Sequence, residues 1–125
     1  RGVRISLEPL NRYETDFILD VADGLHMLSD LQCANVGLML DVFHMNIEEA
    51  SIAHSLEAAG ERCWHVHIAD SNRHYPGAGH LDFDGVFAAL ERMGYQGYVS
   101  AELLPLPDPD TAARETIAFI RSKLR

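Results

Sequence analysis

The stretch GLMLDVFH, residues 37–44, is an apolar run of strand length that stops on an acid, Asp41. Three other runs have the same form: ISLEPL at 5–10 stops on Glu8, CWHVHIAD at 63–70 on His67, and GYVSAELL at 97–104 on Glu102. Short apolar runs bounded by polar or turn residues read as buried strands, here near 3–9, 36–42, 64–69 and 98–103. Helical patterns near 14–32, 47–59, 82–93 and 109–124 alternate with them, so the order is βαβαβαβα. Strands apolar on both faces and separated by helices pair in parallel, because each crossover returns the chain to the same end of the sheet.

Local signals agree with this division. Asn46 is placed to cap a helix starting at Ile47, with Glu49 closing a capping box, and Pro109 follows Asp108 as a first helical residue follows its cap. Gly60 and Gly94 stand where helix ends need a left-handed residue. A complete (βα)8 barrel takes about 250 residues. The 125 residues here are therefore read as an α/β domain of four consecutive βα units, half of such a barrel, spanning 1–125. Two unpaired strand edges and an open interior call for another half, a second copy, or a longer polypeptide. The start at Arg1, without an initiator methionine, fits a piece of something larger.

With 19 acidic against 10 basic side chains, the net charge of -9 repels phosphate backbones and leaves no basic stripe for nucleic acid. No apolar run approaches the roughly 18 to 20 residues of a membrane span, and no leader pattern precedes the first strand, so a soluble, cytoplasmic protein is expected. Cys33 and Cys63 have neither CxxC spacing nor a disulfide framework around them.

In a parallel α/β sheet the C-terminal ends of the strands converge on one mouth. Glu8, Asp41, His67 and Glu102 would meet there, and the residues two positions earlier, Ser6, Met39, His65 and Ser100, share their face. Three of those four are polar, unlike a dry core, where each buried polar group needs a partner. Caps and surface charges at loop entrances are the plainer reading of any one strand end, but four together point to a divalent metal site. Three carboxylates and one imidazole suit Mn²⁺, Mg²⁺ or Co²⁺ better than a thiolate zinc centre. Such an ion can hold neighbouring oxygens of a hydroxy-carbonyl compound and stabilise the enediolate left when the adjacent carbon loses a proton.

His44 and Arg73 follow the ligands at three and six residues, on loops that would roof the mouth, and Glu14, six beyond Glu8, stands where the next helix begins. Each also has a plainer reading, as a loop histidine, a solvated cation and a first-turn acid favoured by the helix dipole. His26, His54, His74 and His80 read as surface or loop residues, with His80 placed to help order the long loop after His67. Phe43 and Tyr75 are placed to wall an apolar side of the pocket.

Taken together, EPLNRYETDF, GLMLDVFHMN, HVHIADSNRHYPGAGHLDF and VSAELL resemble the C-terminal half of the xylose isomerase-like sugar isomerase and epimerase superfamily, most closely its D-tagatose and D-allulose 3-epimerase branch. The resemblance covers essentially the whole chain. It implies a TIM barrel holding one divalent ion, Mn²⁺ first with Co²⁺ or Mg²⁺ as alternatives, on residues matching Glu8, Asp41, His67 and Glu102. It implies that Glu8 and Glu102 are the acid/base pair on opposite faces of the substrate carbon, and that Glu14, His44 and Arg73 bind a keto sugar. The chemistry implied is C3 epimerisation or aldose-ketose isomerisation through a cis-enediolate. An inosose dehydratase or hydroxypyruvate isomerase of the same superfamily shares the metal set. An apurinic-site endonuclease shares the barrel but needs more zinc ligands and a cationic DNA face. A non-catalytic half-barrel that must dimerise is the remaining alternative. The departure from the family pattern is length, since the first four βα units are absent.

Overall fold

The computed structural model describes residues 2–123. Four strands, β1 (Ile5–Leu7), β2 (Val36–Asp41), β3 (Cys63–Ile68) and β4 (Tyr98–Ala101), form one sheet in the order β1-β2-β3-β4. Every neighbouring pair is parallel. The helices are α1 (Val21–Leu31), α2 (Val42–Glu48), α3 (Ile52–Ala59), α4 (Phe83–Arg92) and α5 (Pro109–Lys123), with a 3₁₀ turn at Gly60–Arg62. Among the described residues no helix is long and apolar enough to cross a membrane.

Register fixes which side chains share a face. Asp41 pairs with His67 and His67 with Ser100, while Ser6 pairs with Gly37 and Met39 with His65. Because side chains alternate across a strand, Leu38, Leu40, Val66 and Ile68 turn to the opposite face. There they are fully buried in a cluster with Val21 and Leu28 of α1, Leu56 of α3, and Phe83, Val86 and Leu90 of α4. Burying each such side chain contributes about 1.5–3 kcal/mol, the main source of stability here. On the other face Gly37 makes room for Trp64, whose ring fills the space a Cβ at residue 37 would take. The Arg4 guanidinium lies 4.0 Å over that ring.

The outer strands differ from the inner pair. Ile5 and Tyr98 are exposed, and β1 and β4 each have one paired edge among the described residues. The expectation of strands apolar and covered on both faces holds for the helix-side face of β2 and β3, whereas on the other face Met39, Trp64, His65 and His67 are only partly buried, and the two outer strands depart from it further.

The sequence misplaces several boundaries. The expected helix over 14–32 begins at Val21, where the Asp20 carboxylate accepts the Asp23 N–H at 2.8 Å. The residues before it are turns, because the Asn11 side chain takes the Tyr13 N–H at 3.0 Å and the Asn11 carbonyl takes those of Glu14 and Thr15. The expected helix over 47–59 is two helices. Asp41 caps the first by accepting the Phe43 N–H at 2.9 Å, so α2 starts directly at the end of β2 and contains Asn46, which caps nothing. Ser51 caps α3 through the His54 N–H. Glu49 closes no capping box; it accepts the Val21 N–H at 2.9 Å and the Ser55 hydroxyl at 2.5 Å, tying α1 to α3. The remaining caps match expectation: Gly60 and Gly94 have φ of 50° and 62°, and Asp108 accepts the Thr111 N–H at 2.9 Å.

Candidate metal centre

Each strand end delivers one side chain. Glu8 is the first residue after β1, Asp41 the last of β2, His67 the penultimate residue of β3, and Glu102 the first after β4. Glu102 stays in register because its N–H donates to the Ile68 carbonyl at 3.2 Å. One ligand atom from each of the four lies within 4.8 Å of the others, an arrangement that can hold a metal ion. His67 Nδ1 is 3.5 Å from Glu102 Oε2 and 4.0 Å from Glu8 Oε1.

Three of these atoms, Glu8 Oε1, Asp41 Oδ2 and His67 Nδ1, are buried without a hydrogen-bond partner. Leaving a buried polar atom unpaired costs about 1–3 kcal/mol, so three converging on one point mark a place shaped for a cation. The N-cap bond occupies Asp41 Oδ1, so Oδ2 is the oxygen left without a partner. Burial pushes the Glu8 carboxyl up to about 7, and the charges of Asp41 and Glu102 push the same way. Asp41 is also raised, by burial, against the opposing pull of the Phe43 N–H and His44. A divalent cation would relieve both effects, and the set of three carboxylates and one imidazole fits a hard or borderline ion.

Beside the cluster stands Arg73. Its guanidinium reaches Glu102 Oε2 at 3.1 Å and Glu14 Oε1 at 3.3 Å and lies 4.6 Å over the Phe43 ring. Arg73 has φ of 59°, a left-handed conformation that its loop must enforce. Asp70 does so: buried to 1 % exposure, it accepts N–H groups from Ser71 and Gly77 at 2.7 Å and from Leu81 at 3.1 Å. Burial opposes ionisation of Asp70, but these bonds and one from Gly79 outweigh it and hold the carboxyl below its ordinary range. A Cβ at Gly79 would collide with Asp70 Oδ1, so a glycine is required there.

All seven sequence-derived residues therefore gather at one mouth, although not all as expected. His44 does not sit on a roofing loop; it is a buried residue of α2, with Nε2 3.9 Å from Asp41 Oδ2. Glu14 belongs to the turn after β1, ahead of α1. Beneath the ligands, His65 Nε2 and Ser100 Oγ are 2.7 Å apart, so the two polar residues satisfy each other. Sequence reading missed Asn11 and Asp70. Both are buried polar residues three positions beyond a ligand, in EPLN and HIAD, and that shared spacing is the signal that could have found them.

A parallel βα array with three carboxylates and an imidazole at its strand ends defines a barrel-type class whose mouth could hold a metal ion. Residues 1–123 match the family model described as Xylose isomerase-like TIM barrel, and the chain belongs to that family, whose curated members include epimerases. It is 44% identical over 122 residues to an L-ribulose 3-epimerase of Methylomonas sp. (strain DH-1), covering 98% of this chain and 43% of that protein. It is 39% identical over 122 residues to a 3-dehydro-D-guloside 4-epimerase of Escherichia coli (strain K12), covering 97% of this chain and 47% of that protein. A solved D-allulose 3-epimerase from Methylomonas sp. superposes with a TM-score of 0.92 at 37% identity, over 98% of this chain and 49% of its own. The chain thus spans about half the length of the curated relatives it matches.

Proposed function

We propose that the protein containing this chain is a divalent-metal-dependent epimerase of keto sugars, inverting a carbon next to the carbonyl through a cis-enediolate. The observation that carries this reading is the convergence of three unpartnered buried ligand atoms, with Glu102, on one point. The names of the two relatives support the reaction class, since a ketose 3-epimerase and a 3-dehydro sugar 4-epimerase both invert the carbon beside a carbonyl.

Glu8, Asp41, His67 and Glu102 would hold the ion, which supplies positive charge that polarises the carbonyl of a bound sugar. Mn²⁺ is the ion we favour, with Co²⁺ or Mg²⁺ as alternatives. Glu8 and Glu102 come from the two outer strands, so their carboxylates approach the cluster from opposite sides. One, as the carboxylate, takes the proton from the carbon, and the other, protonated beforehand, delivers its own proton to the opposite face, the pair being reset by proton exchange with solvent. Arg73 positions Glu102 and, with Glu14 and His44, supplies hydrogen bonds to the sugar oxygens. The Phe43 ring backs the Arg73 guanidinium and keeps that side of the mouth apolar.

The open sheet implies that a second set of βα units completes the pocket, either on the same polypeptide or from an associated copy. We place the protein in the cytoplasm. The test is solvent deuterium exchange into a ketose by the metal-loaded protein carrying this chain. Exchange at the carbon beside the carbonyl is expected, with Glu8→Gln or Glu102→Gln abolishing it; undiminished exchange in both variants refutes the assignment.

A further inference from the structure

Asn11 lies outside the ligand and sugar-binding sets, yet only 2 % of its surface is exposed, and it sits against the equally buried His44. Two of its donors meet the same ring nitrogen. The main-chain N–H of Asn11 points to His44 Nδ1 at 3.4 Å, and the side-chain Nδ2 is 2.7 Å from that atom. A main-chain N–H can only donate. The orientation of the Asn11 amide is fixed independently, because its Oδ1 accepts the Tyr13 N–H at 3.0 Å while Nδ2 also reaches Glu14 Oε1 at 3.0 Å. Nδ1 of His44 therefore faces two donors and must be the acceptor, which leaves the ring proton on Nε2. Nε2 is the nitrogen turned toward the mouth, 3.9 Å from Asp41 Oδ2.

The surroundings hold Asn11 in this pose. Arg12 forms a bidentate pair with Glu48 of α2, with contacts of 2.8 and 3.0 Å, and the Arg12 N–H adds a third bond to the same carboxylate. The turn after β1 is thereby fastened to the helix that carries His44.

We propose that Asn11 is a positioning residue that fixes His44 in the Nε2–H form, so that His44 meets the substrate as a hydrogen-bond donor and not as an acceptor. This deepens the epimerase reading and rests on it for the identity of the partner, a sugar hydroxyl or carbonyl oxygen. The same side chain orients Glu14, so one amide sets two of the three sugar-binding groups.

The first test needs no turnover and reads the wild-type protein, with a variant used only for assignment. Long-range proton–nitrogen correlation NMR of the protein carrying this chain, with His44 assigned by the signal lost in His44→Gln, should show Nδ1 without a proton and Nε2 with one. A proton on Nδ1 overturns the proposal. The second test compares two substitutions. Both variants keep the main-chain N–H, the longer of the two contacts at 3.4 Å; Asn11→Asp replaces the close side-chain donor by a carboxylate, which only accepts and should draw a proton onto Nδ1, whereas Asn11→Ala puts no acceptor there. The expected result is a kcat/KM loss of about 10- to 100-fold for Asn11→Asp and a smaller loss for Asn11→Ala, with one metal ion still bound by each. A residue that merely fills space would give the reverse order, since Ala deletes more contacts, and that order refutes the proposal. If His44 has the expected form but the wild-type protein exchanges no deuterium into any ketose, the role of Asn11 stands and the epimerase reading falls.

Discussion

Replacing Glu8 by Gln should make the metal-free protein more stable and the metal-loaded protein less so. Burial and the charges of Asp41 and Glu102 raise the Glu8 carboxyl to about 7 from an ordinary value of 4.5. At about 1.4 kcal/mol per pH unit, this displacement corresponds to roughly 3 kcal/mol of destabilisation once Glu8 is ionised. Solvent reaching 22% of the side chain screens the effect, leaving about 1–2 kcal/mol. The sign follows from proton linkage. Between pH 4.5 and about 7 the folded state holds the Glu8 proton that the unfolded state has lost, so stability falls as pH rises through that window. Glu8→Gln removes this fall. At a free Mn²⁺ concentration a hundredfold above its dissociation constant, the wild-type chain should gain about 2.7 kcal/mol, and the variant should gain far less. Urea unfolding at pH 5 and pH 8, with and without Mn²⁺, reads all of these quantities. A variant less stable than wild type without metal at pH 8, yet equally stabilised by Mn²⁺, would refute the electrostatic account of the cluster.

Three further expectations concern other residues. Asp70→Ala removes the shared acceptor of the 70–81 loop and should cost about 2–4 kcal/mol, with faster amide exchange at Ser71, Gly77 and Leu81; unchanged exchange there would show that the loop is held by something else. Asp41→Asn keeps a good helix cap for Phe43 but removes charge from the cluster, so unfolding stability without metal should change by less than about 1 kcal/mol while Mn²⁺ affinity drops at least tenfold; an affinity matching wild type would contradict the placement of Asp41. Cys33 is exposed, whereas burial pushes the Cys63 thiol up to about 12, so a thiol reagent at pH 8 should modify one cysteine in the native chain and both in urea.

How far the sequence carried the fold depends on the kind of signal. The four strands and the face they share were legible because apolar runs ending on Glu8, Asp41, His67 and Glu102 encode both a period and an endpoint. The helix starts were not. Residues 14–20 continue a helical pattern, but Asn11 and Asp20 compete for the backbone N–H groups and win, delaying α1 to Val21. Asp41 is legible as a ligand, yet nothing local shows that one of its oxygens also caps α2, so the local pattern points to a loop at His44 and a cap at Asn46 where the structure has one continuous helix. For Asn11 and Asp70 the local pattern carries only their shared spacing three residues beyond a ligand. Their burial arises from partners 33 residues away in one case and from a loop closing over the carboxylate in the other, and that part is not written locally.

The most direct test of the central claim is an isothermal titration of Mn²⁺ into the metal-free protein carrying this chain. One ion per chain is expected, with binding lost or weakened at least tenfold in each of Glu8→Gln, Asp41→Asn, His67→Gln and Glu102→Gln. Absence of binding in the wild-type protein, or binding undiminished by all four substitutions, would contradict the reading of these strand ends as a single metal centre.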